Sequence, residues 1–206
     1  MLPELPTLFC PVREIGPVEA NVQAPGWQQI APVWLVDVVT GAAPKQATQL
    51  RVAASGRDLR VLFDCVDSEP WGTMTKRNDP IYDEEVVEVF LDPVGDLECY
   101  FEIELSPLNT VLDLVIRKSV SGLKKDFDWG CEGLRTAVQR TEQGWAGELA
   151  IPFASLMPGA GRMPAWRCNF TRIDRPGRVE QEFTAFSVTG LPLFHVPNRF
   201  GAMRIE

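Results

Sequence analysis

The sequence predicts an all-β domain, a sandwich of about ten antiparallel strands, on three observations. Runs of five to ten residues alternate apolar and polar side chains, the period of a strand with one buried face. Seventeen prolines and sixteen glycines punctuate these runs at short intervals. Helical periodicity is nearly absent.

The first thirty residues are proline-rich, carry Trp27 and lead to Trp34; they are expected to strap across the sandwich. The first strand is expected over 49–54. The next, 58–66, places Leu59, Val61, Phe63 and Cys65 on one face. Residues 86–91 are apolar on both faces except for Glu88. The clearest run is 97–106. Leu97, Cys99, Phe101, Ile103 and Leu105 point one way, and Glu98, Tyr100, Glu102 and Glu104 the other, toward solvent or ligand. Residues 110–117 alternate Leu112, Leu114 and Ile116 with Val111, Asp113 and Val115. Strands at 134–140, 145–151, 166–173, 183–188 and 200–205 complete the set, with Trp145 and Trp166 expected in the core. The segment PFASLM at 152–157 fits one helical turn, with Pro152 at its first position. No repeat, low-complexity tract or linker divides the chain, so one domain is expected over 1–206.

The chain has 28 acidic and 20 basic residues, a net charge of −8. Phosphate backbones and anionic membranes call for a basic face, so neither is an expected partner. A neutral sugar or a cation fits better. The N-terminal MLPELPTLFCPV lacks the basic region and apolar run of a leader, which makes a cytoplasmic location the default expectation. The five cysteines, Cys10, Cys65, Cys99, Cys131 and Cys168, form no CxxC pair. Cys65, Cys99 and Cys168 sit among apolar residues and read as small core residues.

Catalysis finds little material. A serine triad would need His195, the only histidine, and no Gly-x-Ser-x-Gly elbow exists. Paired carboxylates such as Glu102 and Glu104 leave a glycoside hydrolase as the alternative function. A haem-binding electron-transfer domain is a further reading, with His195 and Met74 or Met203 as axial ligands. The loop 78–85 is dense in oxygen donors, so Asp79, Asp83 and Glu84 are candidate calcium ligands, although the EF-hand order is missing and a solvated acidic loop is the favoured reading. Six tryptophans and eleven phenylalanines stand against two tyrosines. Trp71 lies in a loop and is followed by Lys76, Arg77, Asn78 and Asp79. Its indole has two readings: a stacking platform for a pyranose with polar side chains beside it, or a cap on the open end of the core.

Six segments in order, LRVLFDCVD at 59–67, DEEVVEVFLDP at 83–93, YFEIELSPLNTVLD at 100–113, GWAGELAIPFASL at 144–156, RCNFTRID at 167–174 and FHVPNRFG at 194–201, together resemble the family 9 carbohydrate-binding modules and their family 9-like (DOMON-like) relatives. The resemblance implies a distorted immunoglobulin-like, jelly-roll-type β-sandwich. It implies non-catalytic binding of sugar, such as a glucan or xylan oligosaccharide end held between two aromatic rings. Trp71 falls where one clamp ring is expected and Phe186 where many relatives carry tryptophan, with Lys76, Arg77 and Glu85 near the polar positions. Some relatives carry structural calcium. Arg172 and Asp174 are expected to pair with Glu102 or Glu104 across the sheet, and Asn109 to shape a hairpin.

Overall fold

The computed structural model describes residues 2–157 and 165–206. Among these, fourteen strands form two sheets. The strap supplies β1 (Thr7–Cys10) and a single turn, α1 (Pro25–Gln28). Two short strands follow, β2 (Val33–Trp34) and β3 (Val36–Asp37). The long strands are β4 (Thr48–Ser55), β5 (Asp58–Val66), β6 (Val86–Asp92), β7 (Cys99–Leu105) and β8 (Val111–Ser119). Then come β9 (Gly122–Asp126), β10 (Arg135–Arg140), β11 (Gly144–Pro152) and the turn α2 (Phe153–Leu156). The last three are β12 (Ala165–Asp174), β13 (Glu182–Ala185) and β14 (Gly201–Ile205).

One sheet runs β1-β14-β12-β6-β7-β8-β9, with β13 and β3 added beside β12. The other runs β10-β11-β5-β4-β2. All pairs are antiparallel except β1 with β14. The alternation read from sequence decides what lies between the sheets. Val87, Val89 and Leu91 of β6, Ile103 and Leu105 of β7, and Trp166, Cys168 and Phe170 of β12 meet Leu59, Val61 and Phe63 of β5 and Trp145, Leu149 and Ile151 of β11. Cys65 and Cys168 are buried there as expected, while Cys99 at a strand end is only half-buried. The strap closes the back of the smaller sheet: Trp27 packs on Ala53, Leu62 and Ala146. Arg60 and Glu148 pair beneath it, and Glu148 Oε2 accepts the N–H groups of Glu19 and Ala20. Glu148 therefore anchors the strap.

The structure adds four strands to the expected ten. β1 lies within the proline-rich strap, β2 and β3 are two residues long, and β9 is polar on both faces, so none carries a periodic signal. The 97–106 run is shortened at its start because Leu97 adopts a left-handed conformation in the turn before β7. The helical turn begins after Pro152 rather than on it. Asn109 takes the left-handed position of the β7–β8 turn, as its type favours.

Candidate functional site

The second face of the 97–106 run was expected to meet solvent or ligand; the structure covers it, together with the same side of β6 and β8. Register fixes the pattern. Thr171 of β12 faces Glu88 of β6, which faces Glu104 of β7. One step along, Phe90 faces Glu102, and Tyr100 faces Ile116, which faces Lys125 of β9. Ile81, Phe194 and Phe200 pack over this face beside Phe90 and Leu112, with Met74 and Tyr82 at its margin. Three glutamates thus lie beneath a cover of aromatic side chains, 2% exposed for Glu88 and Glu102 and fully buried for Glu104.

Their chemistry is unusual for a sandwich surface. One oxygen from each lies within 4.8 Å of the others. The Thr171 hydroxyl donates to Glu88. No N–H or hydroxyl from outside the group reaches Glu102 Oε2 or either Glu104 oxygen, and the two carboxyls share a hydrogen bond with each other. A retained proton relieves the repulsion that like charges opposed across a strand pair would add. Burial, with Glu102 beside it, pushes the Glu88 carboxyl up to about 8. Burial pushes Glu102 up to about 7. Burial and both neighbours hold Glu104 well above the ordinary carboxyl range.

The margin supplies the accessible groups. The Lys125 ammonium sits 5.6 Å from the centroid of the half-exposed Tyr82 ring, within cation–π range. His195 Nδ1 shares a 3.0 Å hydrogen bond with the Tyr100 hydroxyl, and its Nε2 faces Glu102 Oε2 at 3.8 Å. Burial, with Lys125 nearby, lowers His195 to about 4, so the ring is neutral at pH 7. Beyond His195 a groove of about 540 Å³ runs between the β8–β9 hairpin and residues 195–198, lined by Leu97, Leu123 and Pro197. Both tyrosines and the only histidine of the chain meet on this face. That convergence of rare residues was the one sequence signal for the site; acids alternating along β7 looked like ordinary solvated positions.

The residues singled out from sequence lie elsewhere. Trp71 and Glu85 do come together at one end of the sandwich, where the Trp71 backbone N–H donates to Glu85 Oε2 at 3.0 Å. Trp71 is half-buried, and the Arg178 guanidinium, paired with Glu69, lies 5.3 Å over its ring. Glu85 joins Asp67 and Asp174 in a second buried carboxyl group. Here Arg172 donates to Asp67 at 3.0 Å and Asp174 at 2.8 Å, and Gln46 donates to the other Asp174 oxygen. Arg172 therefore does not pair with Glu102 or Glu104. Its side chain shares a face with Val87, pointing between the sheets, while the glutamates are on the opposite face. Lys76 is exposed, and Arg77 pairs with the buried Asp113. Phe186 buries its ring against Phe170, close to Gly201, with only 8% exposed. That burial leaves little of the ring open for stacking.

The candidate calcium ligands are not gathered either. Asp79 accepts the Lys76 N–H, and Glu84 accepts from the backbones of Thr73 and Met74 and the Thr73 hydroxyl. Among the described residues, Asp79, Asp83 and Glu84 form no metal-sized group. The haem reading fails on topology for Met203, which sits between the sheets while His195 is on the outer face. The hydrolase reading fails on access, because Glu102 and Glu104 are closed to water.

Residues 18–206 match the model of the family described as carbohydrate family 9 binding domain-like. The chain is 25% identical over 152 residues to endo-1,4-beta-xylanase A of Thermoanaerobacterium saccharolyticum, 74% of this chain and 12% of that protein. It spans about an eighth of that enzyme's length. Its fold is similar to that of a candidate carbohydrate-binding protein from Bacteroides uniformis, with a TM-score of 0.77 and 18% identity over 98% of this chain and all of that one. It is also similar to a family 9 carbohydrate-binding module from Caldicellulosiruptor kristjanssonii in complex with cellotriose, with a TM-score of 0.68 and 14% identity, covering 98% and 94% of the two chains. The same module in complex with glucose matches with a TM-score of 0.69 and 13% identity, covering 96% and 95%.

Proposed function

The chain belongs to the carbohydrate family 9 binding domain-like family, and from that premise we propose that it binds carbohydrate without transforming it, on the outer face of the nine-stranded sheet. The observation that carries the reading is the half-exposed Tyr82 ring beside Lys125, at the margin of the face that His195 and the groove beyond it share. A pyranose presents an apolar face of C–H groups to such a ring and hydroxyls around its edge. Lys125 donates to hydroxyl or ring oxygens, and the groove past His195 gives further sugar units room. The site is small and solvated at its margin, so affinity is expected in the micromolar to millimolar range. Similarity to the cellotriose- and glucose-bound module makes β-glucan oligosaccharides the first ligands to try.

The test is a calorimetric titration of glucose, cello-oligosaccharides and xylo-oligosaccharides into the wild type, Tyr82→Ala and Trp71→Ala. Binding should fall at least tenfold in Tyr82→Ala and persist in Trp71→Ala. The reverse outcome would move the site to the Trp71 end, where the sequence first placed it. No heat with any sugar at high millimolar concentration would end the carbohydrate reading.

A further inference from the structure

We propose that the outer face of the five-stranded sheet carries a second carbohydrate-binding surface, a platform for a neutral polysaccharide chain laid across the strands from Trp34 to Gln139. The class of ligand rests on the carbohydrate reading above. The place does not, since Tyr82 and Lys125 sit over the other sheet. Trp34 is the starting point. Of the six tryptophans, Trp27, Trp145 and Trp166 are buried, Trp129 packs on Phe101, and Trp71 lies beneath Arg178. Trp34 is 52% exposed. Val33 and Leu35 on either side of it pack into the inter-sheet core, so strand alternation sends its indole outward.

Register aligns polar side chains with it. Trp34 faces Gln49 of β4, Gln49 faces Asp64 of β5, Asp64 faces Ala146 of β11, and Ala146 faces Gln139 of β10. Directly opposed residues share a face. One row therefore crosses all five strands, with an indole at one edge and an amide at the other. Neighbouring strands lie about 4.8 Å apart, which makes the row about 19 Å long. At its Asp64–Gln139 end is a pocket of about 560 Å³, walled by Asn21 and Gln23 of the strap. Each glutamine offers two N–H donors and a carbonyl, and Asp64 offers acceptors alone. The Arg51 charge acts on Asp64 from the same face, so the surface is close to neutral. Hydroxyls find both kinds of partner here, and the apolar face of a sugar ring finds the indole. Each contact on an open face contributes little, so a chain that reaches Trp34 and the pocket together binds where a monosaccharide does not.

The experiment follows the 15N–1H correlation spectrum of the protein during titration with cellohexaose, xylohexaose and glucose, beside affinity electrophoresis in hydroxyethyl cellulose and in xylan. The Trp34 indole N–H signal, assigned by its loss in Trp34→Ala, should move with a hexasaccharide and stay in place with glucose. Retardation in the gel should weaken at least threefold in Trp34→Ala and in Gln49→Ala, both at positions outside the core. Tyr82→Ala should leave the movement of the Trp34 signal intact. A Trp34 signal that stays in place with both hexasaccharides overturns the proposal, as does retardation unchanged in both variants. Self-association that Trp34→Ala abolishes, with no response of Trp34 to sugar, would also overturn it and make this face an interface between copies. The two carbohydrate readings fail separately: a silent Trp34 with binding still lost in Tyr82→Ala sinks this one alone, and a moving Trp34 with no effect of Tyr82→Ala on any sugar sinks the other.

Discussion

Two groups of three buried carboxyls lie on opposite sides of the nine-stranded sheet, and they are built differently. Asp67, Glu85 and Asp174 close the end of the sandwich around Arg172, whose guanidinium bonds two of them and also the Thr48 hydroxyl and the Val66 carbonyl. Glu88, Glu102 and Glu104 occupy the outer face with one hydroxyl donor among them. The first group is built around an arginine that ties three strands together. The second keeps protons on its own carboxyls, which bond one another, with Lys125 the nearby positive charge. Equal burial thus has two solutions: a central arginine in one group, retained protons in the other.

The largest effect should come from removing the compensation. Arg172→Ala leaves Asp67 and Asp174 buried without a counter-charge, and breaking a buried pair this way costs about 3–5 kcal/mol. Urea unfolding should show that loss. A loss below 1 kcal/mol would erase the distinction between the two groups.

The next effect has the opposite sign. Glu104→Gln replaces a carboxyl that must keep its proton with an amide that donates to Glu102 or Glu88 at any pH. It should stabilise the protein by about 1–3 kcal/mol, the cost of an unsatisfied buried group. Destabilisation would mean that the outer group is already satisfied.

The smallest effect is on pH dependence. Glu88 and Glu102 keep protons in the fold, up to about 8 and about 7, that the unfolded chain releases near 4.5. The stability they lend is complete below pH 4.5 and is lost as pH rises through 7 to 8. Tm should therefore drop by a few degrees from pH 5 to 8. His195, lowered to about 4, opposes this only below its unfolded value near 6.5. Glu88→Gln, Glu102→Gln and Glu104→Gln together should flatten most of the slope, and Glu85, raised to about 8, should account for what remains. A slope unchanged in that variant would place the proton-holding groups elsewhere.

Most of the fold was legible in residues that repeat at period two. Strands β4 through β8 and β10 through β12 follow the alternation, because a strand with one face in a core must alternate. Trp145 and Trp166 fall in that core as their spacing implies. The site was less legible. Trp71 is the loop tryptophan that local sequence favours, yet a guanidinium lies over its ring. Phe186 follows β13 where the chain leaves the sheet, and it turns inward on Phe170. Neither arrangement has a local signature.

The sequence by itself determined the two-layer architecture, the inter-sheet core and the pairs of residues that share a strand face, since these depend on neighbours one or two positions away. Only the tertiary structure decided that the acidic face of β7 is covered. It also decided that Glu88 stands against Glu104, and that Tyr82, Tyr100, Lys125 and His195 close around them. These residues are up to 113 positions apart in the chain (82 to 195). Register between strands and the return of the 189–200 segment bring them together, and a charge's environment is set by what surrounds it in space.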